Sequence, residues 1–289
     1  MSDIDATGTC RAALAWAAER DYTGWNKFDA LASPFLRAAS LGTCWGRLVV
    51  TQAVKRSPWN VRPLLGVPKL PNLKGWALFA QAHATLWTLE RNAEDRGATR
   101  MLLAGIVAGH RDTPWGWGWG YPHPWQDWGF YVGADEPNRV VTAYAVEALL
   151  DAGRRIGETG FLNAAARGAD FLARSPDVLS RGDGRAALTY VPVPGNPWVV
   201  VDVSALAGAS IAEAAAATGE RAHLDLARRL VRFVLSIQTA EGAWFYADPP
   251  SASPIRHDNY HTGFILDALL RYARATGDEE PMAAYRRGL

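Results

Sequence analysis

Val203-Ser-Ala-Leu-Ala-Gly-Ala-Ser-Ile-Ala-Glu-Ala-Ala-Ala-Ala-Thr218, Gly219-Glu220, Arg221-Ala-His-Leu-Asp-Leu-Ala-Arg-Arg-Leu-Val-Arg-Phe-Val-Leu-Ser-Ile-Gln-Thr239 reads as two helices and a two-residue break. The first half carries one charge, Glu213, and is apolar nearly all round, the pattern of a buried helix. In the second half Leu224, Ala227, Leu230, Val231, Val234 and Ile237 form one stripe, and Arg228, Arg229 and Arg232 take the opposite face. That is a surface helix. The unit is therefore an inner helix, a short turn and an outer helix.

The unit recurs. Gly157-Glu158, Gly219-Glu220 and Gly277-Asp278 stand 62 and 58 residues apart, and Glu90-Arg91-Asn92 lies about one unit earlier. The long loops between units also resemble one another: Trp117-Gly-Trp-Gly-Tyr121, Asp183-Gly184 to Tyr190, and Glu241-Gly-Ala-Trp-Phe-Tyr246. Helical periodicity predicts helices over 9–20, 34–55, 73–91, 94–110, 139–155, 161–174, 203–218, 221–239, 260–276 and 279–289. Strand signals are confined to 187–193 and 243–246. A period near 60 residues exceeds the common solenoid units, so the expected fold is all-α, an (α/α) toroid in a single domain over 1–289. Ten helices make five hairpins. The sixth is missing or truncated, which marks the domain as C-terminally incomplete.

The chain has 289 residues, with Lys+Arg 30 against Asp+Glu 29 and a net charge of +1. Near-neutrality argues against nucleic acid and against an anionic membrane surface as partners. The N-terminus lacks a basic and apolar leader, and no run of about 20 apolar residues could span a bilayer. A soluble cytoplasmic setting is expected. Cys10 and Cys44 form no motif and are expected as packed thiols. No Rossmann, P-loop or Gly-x-Ser-x-Gly pattern is present.

Thirteen tryptophans are the compositional signal. Several sit in Trp115-Gly-Trp-Gly-Trp-Gly-Tyr-Pro-His-Pro-Trp-Gln-Asp-Trp128, where flat rings alternate with glycine. Sugar rings stack C–H faces on indoles and need polar partners at their rims. This stretch is therefore a glycan surface or an apolar plug. Parallel inner helices gather their N-termini at one mouth. There Trp117, Trp119, Tyr121, Trp125 and Gln126 are expected to face Asp258, Asn259 and His261, with Asn138 and Asp202 between them. Asp258, His261 and Asp202 are the catalytic candidates, with Asp258 the first choice of acid or base because aromatic walls would raise its pKa. Asp127 is a further candidate partner. Arg139, Arg62, Trp244 and Tyr246 complete the expected substrate contacts, although Arg62 has Asp29 as an alternative partner. Glu147, Asp151, Glu213 and Asp267 are expected to be solvated or capping. His257-x3-His261 has the spacing of a metal pair but lacks a third ligand, so no metal and no cofactor is expected.

Phe28-Asp-Ala-Leu31 with Ser33-Pro34, Lys55-Arg-Ser-Pro-x-Asn-x-Arg-Pro-Leu-Leu-Gly66, Lys74-Gly-x-Ala-Leu-Phe79, Trp117-Gly-Trp-Gly-Tyr-Pro122 with Trp125-Gln126, Pro137-Asn138 with Val141-Thr-Ala143, and Asp258-Asn-Tyr-His-Thr-Gly-Phe264 are spread over nearly the whole chain. Together they resemble a bacterial family of α/α-toroid proteins of extracellular and capsular polysaccharide biosynthesis. Asn26 departs from the Asp often found there. The resemblance implies a polysaccharide or lipid-linked glycan as partner, with other polysaccharide-assembly proteins alongside. The wider toroid superfamily holds six-hairpin glycosidases, epimerases, terpenoid cyclases and prenyltransferases. Three functions stay open: a hydrolase, lyase or epimerase acting on a glycan, a non-catalytic glycan-binding scaffold, and an isoprenoid-handling activity. Carboxylates paired in an open groove would favour the first.

Overall fold

The computed structural model describes residues 5–193 and 198–289. Eleven α-helices follow one another among these residues: α1 Ala6–Ala18, α2 Pro34–Ala39, α3 Cys44–Arg56, α4 Leu73–Glu90, α5 Ala93–Ala108, α6 Arg139–Arg155, α7 Leu162–Arg174, α8 Val201–Thr218, α9 Leu224–Ser236, α10 Asn259–Thr276 and α11 Glu280–Gly288.

Four hairpins, α4/α5, α6/α7, α8/α9 and α10/α11, carry the toroid. Their inner members pack in sequence, α4 on α6, α6 on α8 and α8 on α10. The quoted stretch behaves as its pattern requires. Ser204 to Ala212 of α8 is buried on every side, whereas α9 buries only Ala227, Leu230, Val231, Phe233 and Val234. Gly219 and Gly277 end α8 and α10 in the left-handed region, with φ of 78° and 73°, where a side chain would be strained.

The expected first pair takes a different form. The run over 34–55 is divided into α2 and α3 by Leu41 and Gly42, both left-handed at φ 52° and 64°. Helix α1 packs against α4, and α3 against α2 and the short turn Asp29–Ala32. A small separate core of Ala30, Leu36, Val54 and Val67 holds this segment. Cys44 is exposed and Cys10 half-buried, so neither is a core thiol. Among the described residues, sheet is limited to five two-stranded ribbons in the loops. Ala186–Leu188 pairs with Val178–Ser180, and Ala247–Asp248 with Val199–Val200.

The loops repeat as the helices do. The backbone N–H of Trp119 donates to Thr142 Oγ1 at 3.0 Å, and that of Leu188 to Ser204 Oγ at 3.0 Å. Thr142 and Ser204 are each the fourth residue of their inner helix. The indoles of Trp119 and Trp244 donate to Ile106 O and Val234 O on the outer helices, at 2.7 and 2.9 Å. Two residues after each of these anchors stands a tyrosine: Tyr121, Tyr190 and Tyr246. The carbonyl of Tyr190 accepts the first N–H of α6 and that of Tyr246 the first N–H of α8. The Tyr190 and Tyr246 loops thus cap the preceding inner helix and fix their tyrosines at the rim, whereas the Tyr121 carbonyl accepts from the backbone N–H of Asp135 in its own loop.

Candidate functional site at the toroid mouth

The inner helices bring Lys74 (α4), Tyr144 (α6), Asp202 (α8) and His261 with Phe264 (α10) to one end. Asp202 is the second residue of α8 and only 3% exposed. Its Oδ1 has no hydrogen-bond partner, and the backbone N–H groups of Asp202 and Val203 at the start of α8 favour its charged form. Burial raises its pKa, while the charges of His261 and Lys74 oppose that rise. The Lys74 ammonium lies 4.4 Å from the Tyr144 ring centre and 4.7 Å from that of Phe264. Burial lowers its pKa, and Asp202 favours its charged form.

Asp258 caps α10, accepting from the backbone N–H groups of Tyr260 and His261. Its second oxygen is 2.9 Å from His261 Nδ1, so the imidazole presents Nε2. This carboxyl is about one-third exposed. Its slight burial pushes the pKa up, but the His261 and backbone hydrogen bonds outweigh that and leave it below the ordinary value. The raised pKa expected of Asp258 therefore belongs to Asp202. Asn259, beside the cap, is exposed.

Tyr121, Tyr190 and Tyr246 enclose the cluster. The hydroxyls of Tyr121 and Tyr190 are 3.4 Å apart, and the ring of Tyr246 meets that of His261 edge-on at 4.7 Å. Burial raises the pKa of all three, with Asp202 contributing, so each phenol keeps its proton. Trp125 packs behind them against Tyr121, Phe130 and Tyr190. Asp127 is pushed up by burial, and its charge is felt at Tyr246.

Other expected contacts have structural duties. Trp119 and Trp244 are core residues, 0% and 2% exposed, because their N–H groups find acceptors on the outer helices. Trp117 is half-buried against the main core and stacks on His110 at 3.7 Å. Gln126 donates to the carbonyls of Asp127 and Phe130 and so braces its own loop. Asn138 is the buried cap of α6. Arg139 is fully buried and donates to Thr189, Ser175 and Pro176, and burial lowers its pKa to about 10. Arg62 pairs with Asp29 at 2.8 Å. Glu147 and Glu213 are half-buried rather than freely solvated, and they converge on Arg271.

Lys74, Tyr144 and Tyr190 were not among the expected site residues. One signal was available for Lys74: a cation in the first turn of a helix opposes the helix dipole, and such a placement asks for a reason. No group of three His, Cys, Asp or Glu among the described residues is arranged to hold a metal. No described helix is long and apolar enough to cross a membrane.

No protein-family profile matches the chain, and no curated protein matches it significantly. Solved structures do. A GH76 α-mannanase of Bacteroides thetaiotaomicron superposes with a TM-score of 0.56 at 15% identity over 75% of this chain and 59% of that one. A cellobiose 2-epimerase from Bacillus thermoamylovorans gives 0.55 at 12% identity, covering 92% and 76%. An unsaturated glucuronyl hydrolase from Bacillus sp. GL1 gives 0.55 at 18% identity, covering 88% and 69%. The chain thus spans about six-tenths of the mannanase's length. The fold is that of the glycosidase-like α/α toroids.

Proposed function

We propose that the chain is an acid–base enzyme that modifies a glycan held in the toroid mouth, most directly by hydrolysis of a glycosidic bond. The observation that carries this reading is Asp202: a buried carboxyl with a free oxygen and a raised pKa, between Lys74 and His261. Such a group stays protonated where an exposed aspartate would not, and donates to the leaving glycosidic oxygen as the anomeric C–O bond breaks. His261, held through Nδ1 by Asp258, takes a proton from the attacking water at Nε2. The three rim tyrosines supply hydrogen bonds and ring faces for the sugar. Two carboxyls at one mouth favour this over a purely binding or isoprenoid-handling role. The likeness to mannanase, hydrolase and epimerase structures is compatible with a glycan substrate. The resemblance to polysaccharide biosynthesis words adds that this is a bacterial surface polysaccharide or its lipid-linked precursor.

A second reading is proton exchange at a carbon beside a sugar carbonyl, as in epimerisation. Lys74 and the protonated phenols favour it, because they would stabilise an enolate oxygen. Isotope labelling separates the two. Glycan products formed in ¹⁸O-water carry the label after hydrolysis, whereas products formed in deuterated water carry carbon-bound deuterium after epimerisation. Asp202→Asn is expected to lower turnover by about 10²–10⁴-fold. Undiminished turnover in that variant rejects the acid assignment, and tight glycan binding with no product places the chain among scaffolds.

A further inference from the structure

Helix α3 carries apolar side chains on two faces. One face, with Leu48, Thr51 and Val54, packs into the protein. On the other, Trp45, Val49 and Ala53 follow at i, i+4 and i+8, and all are exposed, Trp45 at 68% and Val49 at 65%. Arg56, eleven residues after Trp45, comes round to the same side after three turns, about 16 Å along the helix, and ends the row. At the other end the patch widens. Trp128 meets Trp45 edge-on at 5.7 Å, and Arg47 lies 3.9 Å from the ring centre of Tyr131. Both aromatics are exposed, on the loop whose Trp125 packs behind the mouth tyrosines. Just before α3 the chain folds back so tightly that a side chain at Gly46 would run into the carbonyl of Ser40. That turn presents Leu41, 84% exposed, at φ 52°. A leucine there costs twice, through its left-handed backbone and through apolar surface left in water.

The charges around this face have one sign. No Asp or Glu occurs between Asp29 and Glu90, whereas seven Lys and Arg do. At the Arg56 end, Lys55 and Lys27 lie 4.8 and 5.1 Å from the ring centre of Phe28. Burial, Lys27 and Arg56 all lower the pKa of Lys55, and no carboxylate offsets them. These cations repel one another and have room for an anion. On the flanking loop Asp127 accepts from the backbone N–H of Trp128, and burial pushes its pKa up.

We propose that this face lies on an anionic bilayer surface, with Leu41, Trp45, Val49 and Trp128 in the headgroup region and Lys27, Lys55 and Arg56 on the lipid phosphates. Exposed indoles and leucine beside lysine and arginine are the mixture that binds in the plane of a membrane interface. A second copy of the chain, joined across a two-fold axis, would set cations against cations. An anionic lipid surface offers the cations their counter-charge and the apolar groups an apolar layer at once. The net charge of +1 argues against such a partner for the chain as a whole, but the acid-free run reverses that argument locally. The docking is independent of the chemistry at Asp202.

The test is flotation of the full chain with vesicles of phosphatidylcholine alone and of phosphatidylcholine and phosphatidylglycerol in equal parts. Binding is expected to the mixed vesicles only, and should weaken at high salt. Lys55→Gln with Arg56→Gln is expected to weaken it about fivefold for each charge removed. Leu41→Asn is expected to weaken it about tenfold by withdrawing one apolar side chain, and asparagine suits the left-handed turn. Circular dichroism and Tm report whether each variant folds. Should Leu41→Asn misfold, the Lys55 and Arg56 pair decides. Arg274→Gln with Arg286→Gln, exposed cations on α10 and α11, is expected to bind as the wild type does. No flotation at millimolar lipid, equal binding to phosphatidylcholine alone, or wild-type affinity in the folded Leu41→Asn variant each overturns the docking face. An equal loss in the α10 and α11 pair also overturns it, because the attraction would then be one of overall charge. Self-association that Leu41→Asn abolishes, without flotation, gives the face to a second copy instead.

Discussion

Two buried carboxyls set the pH behaviour of the molecule. Asp202 binds its proton more tightly folded than unfolded, because burial penalises the charge. Its stabilising contribution is complete below the unfolded pKa and lost as pH rises through the folded one. Asn cannot ionise, so Asp202→Asn should melt above the wild type at pH 8, by about 2–4 °C for each kcal/mol recovered, and with it by pH 4. A Tm that falls at both pH values would show that the carboxyl is structural. Glu147 is raised further, to about 7, by burial that outweighs its 2.7 Å pairing with Arg271. The same sign applies, and stability from this group fades as pH rises through about 7. Arg271 also pairs with Glu213 and Asp267, so its removal strands acidic groups around the barrel axis. Arg271→Ala is expected to cost about 3–5 kcal/mol at pH 8. The cost should be less at pH 5, where Glu147 is protonated, and denaturant melts at both pH values measure it.

Between residue and toroid stands the loop-plus-helix unit. Thr142 and Ser204 pin successive loops to successive inner helices, and those loops carry Tyr121 and Tyr190. Thr142→Val and Ser204→Ala each orphan a buried backbone N–H, expected to cost about 1–3 kcal/mol. Because the tyrosines hang two residues further on, turnover should also fall in these variants, although neither side chain reaches the mouth. Equal turnover at equal folded fraction would detach the pins from the site. Hairpins and their inner and outer members follow from composition and from glycines that only a left-handed helix end explains, Gly219 and Gly277 among them. The Gly-Trp words are less decisive, because a ligand platform and a core plug are spelled alike. What assigns Trp119 to the core is an acceptor on α5, Ile106 O, whose position depends on tertiary packing. For the same reason the pairing of Arg62 with Asp29, 33 residues away, was one of two open alternatives until the turn at 26–29 was in place.

At the scale of the whole molecule, a net charge of +1 conceals a division. Residues 20–74 hold nine Lys and Arg against two Asp, a local +7, and the remainder of the chain is correspondingly acidic. That basic segment has its own small core and meets the toroid through ring contacts, Tyr22 on Phe79 and Trp45 on Trp128, and through polar joints. One is Tyr22–His83–Asp95, with Arg11 closing on Asp95 and Glu90; another is Arg47 to Gln126 at 3.3 Å. A unit joined in this way can open without the toroid unfolding. His83→Ala removes the imidazole that links α4 to both Tyr22 and Asp95. It is expected to weaken local stability by about 1–3 kcal/mol, which speeds amide exchange roughly 5- to 150-fold. The gain in exchange should be confined to residues 5–67, while α6, α8 and α10 keep wild-type protection, since their core of Ala and Val contacts is untouched. Hydrogen exchange read by mass spectrometry resolves this peptide by peptide. Acceleration spread evenly over all inner helices would mean one cooperative unit, and the N-terminal segment would then be a wall of the toroid that cannot move independently of it.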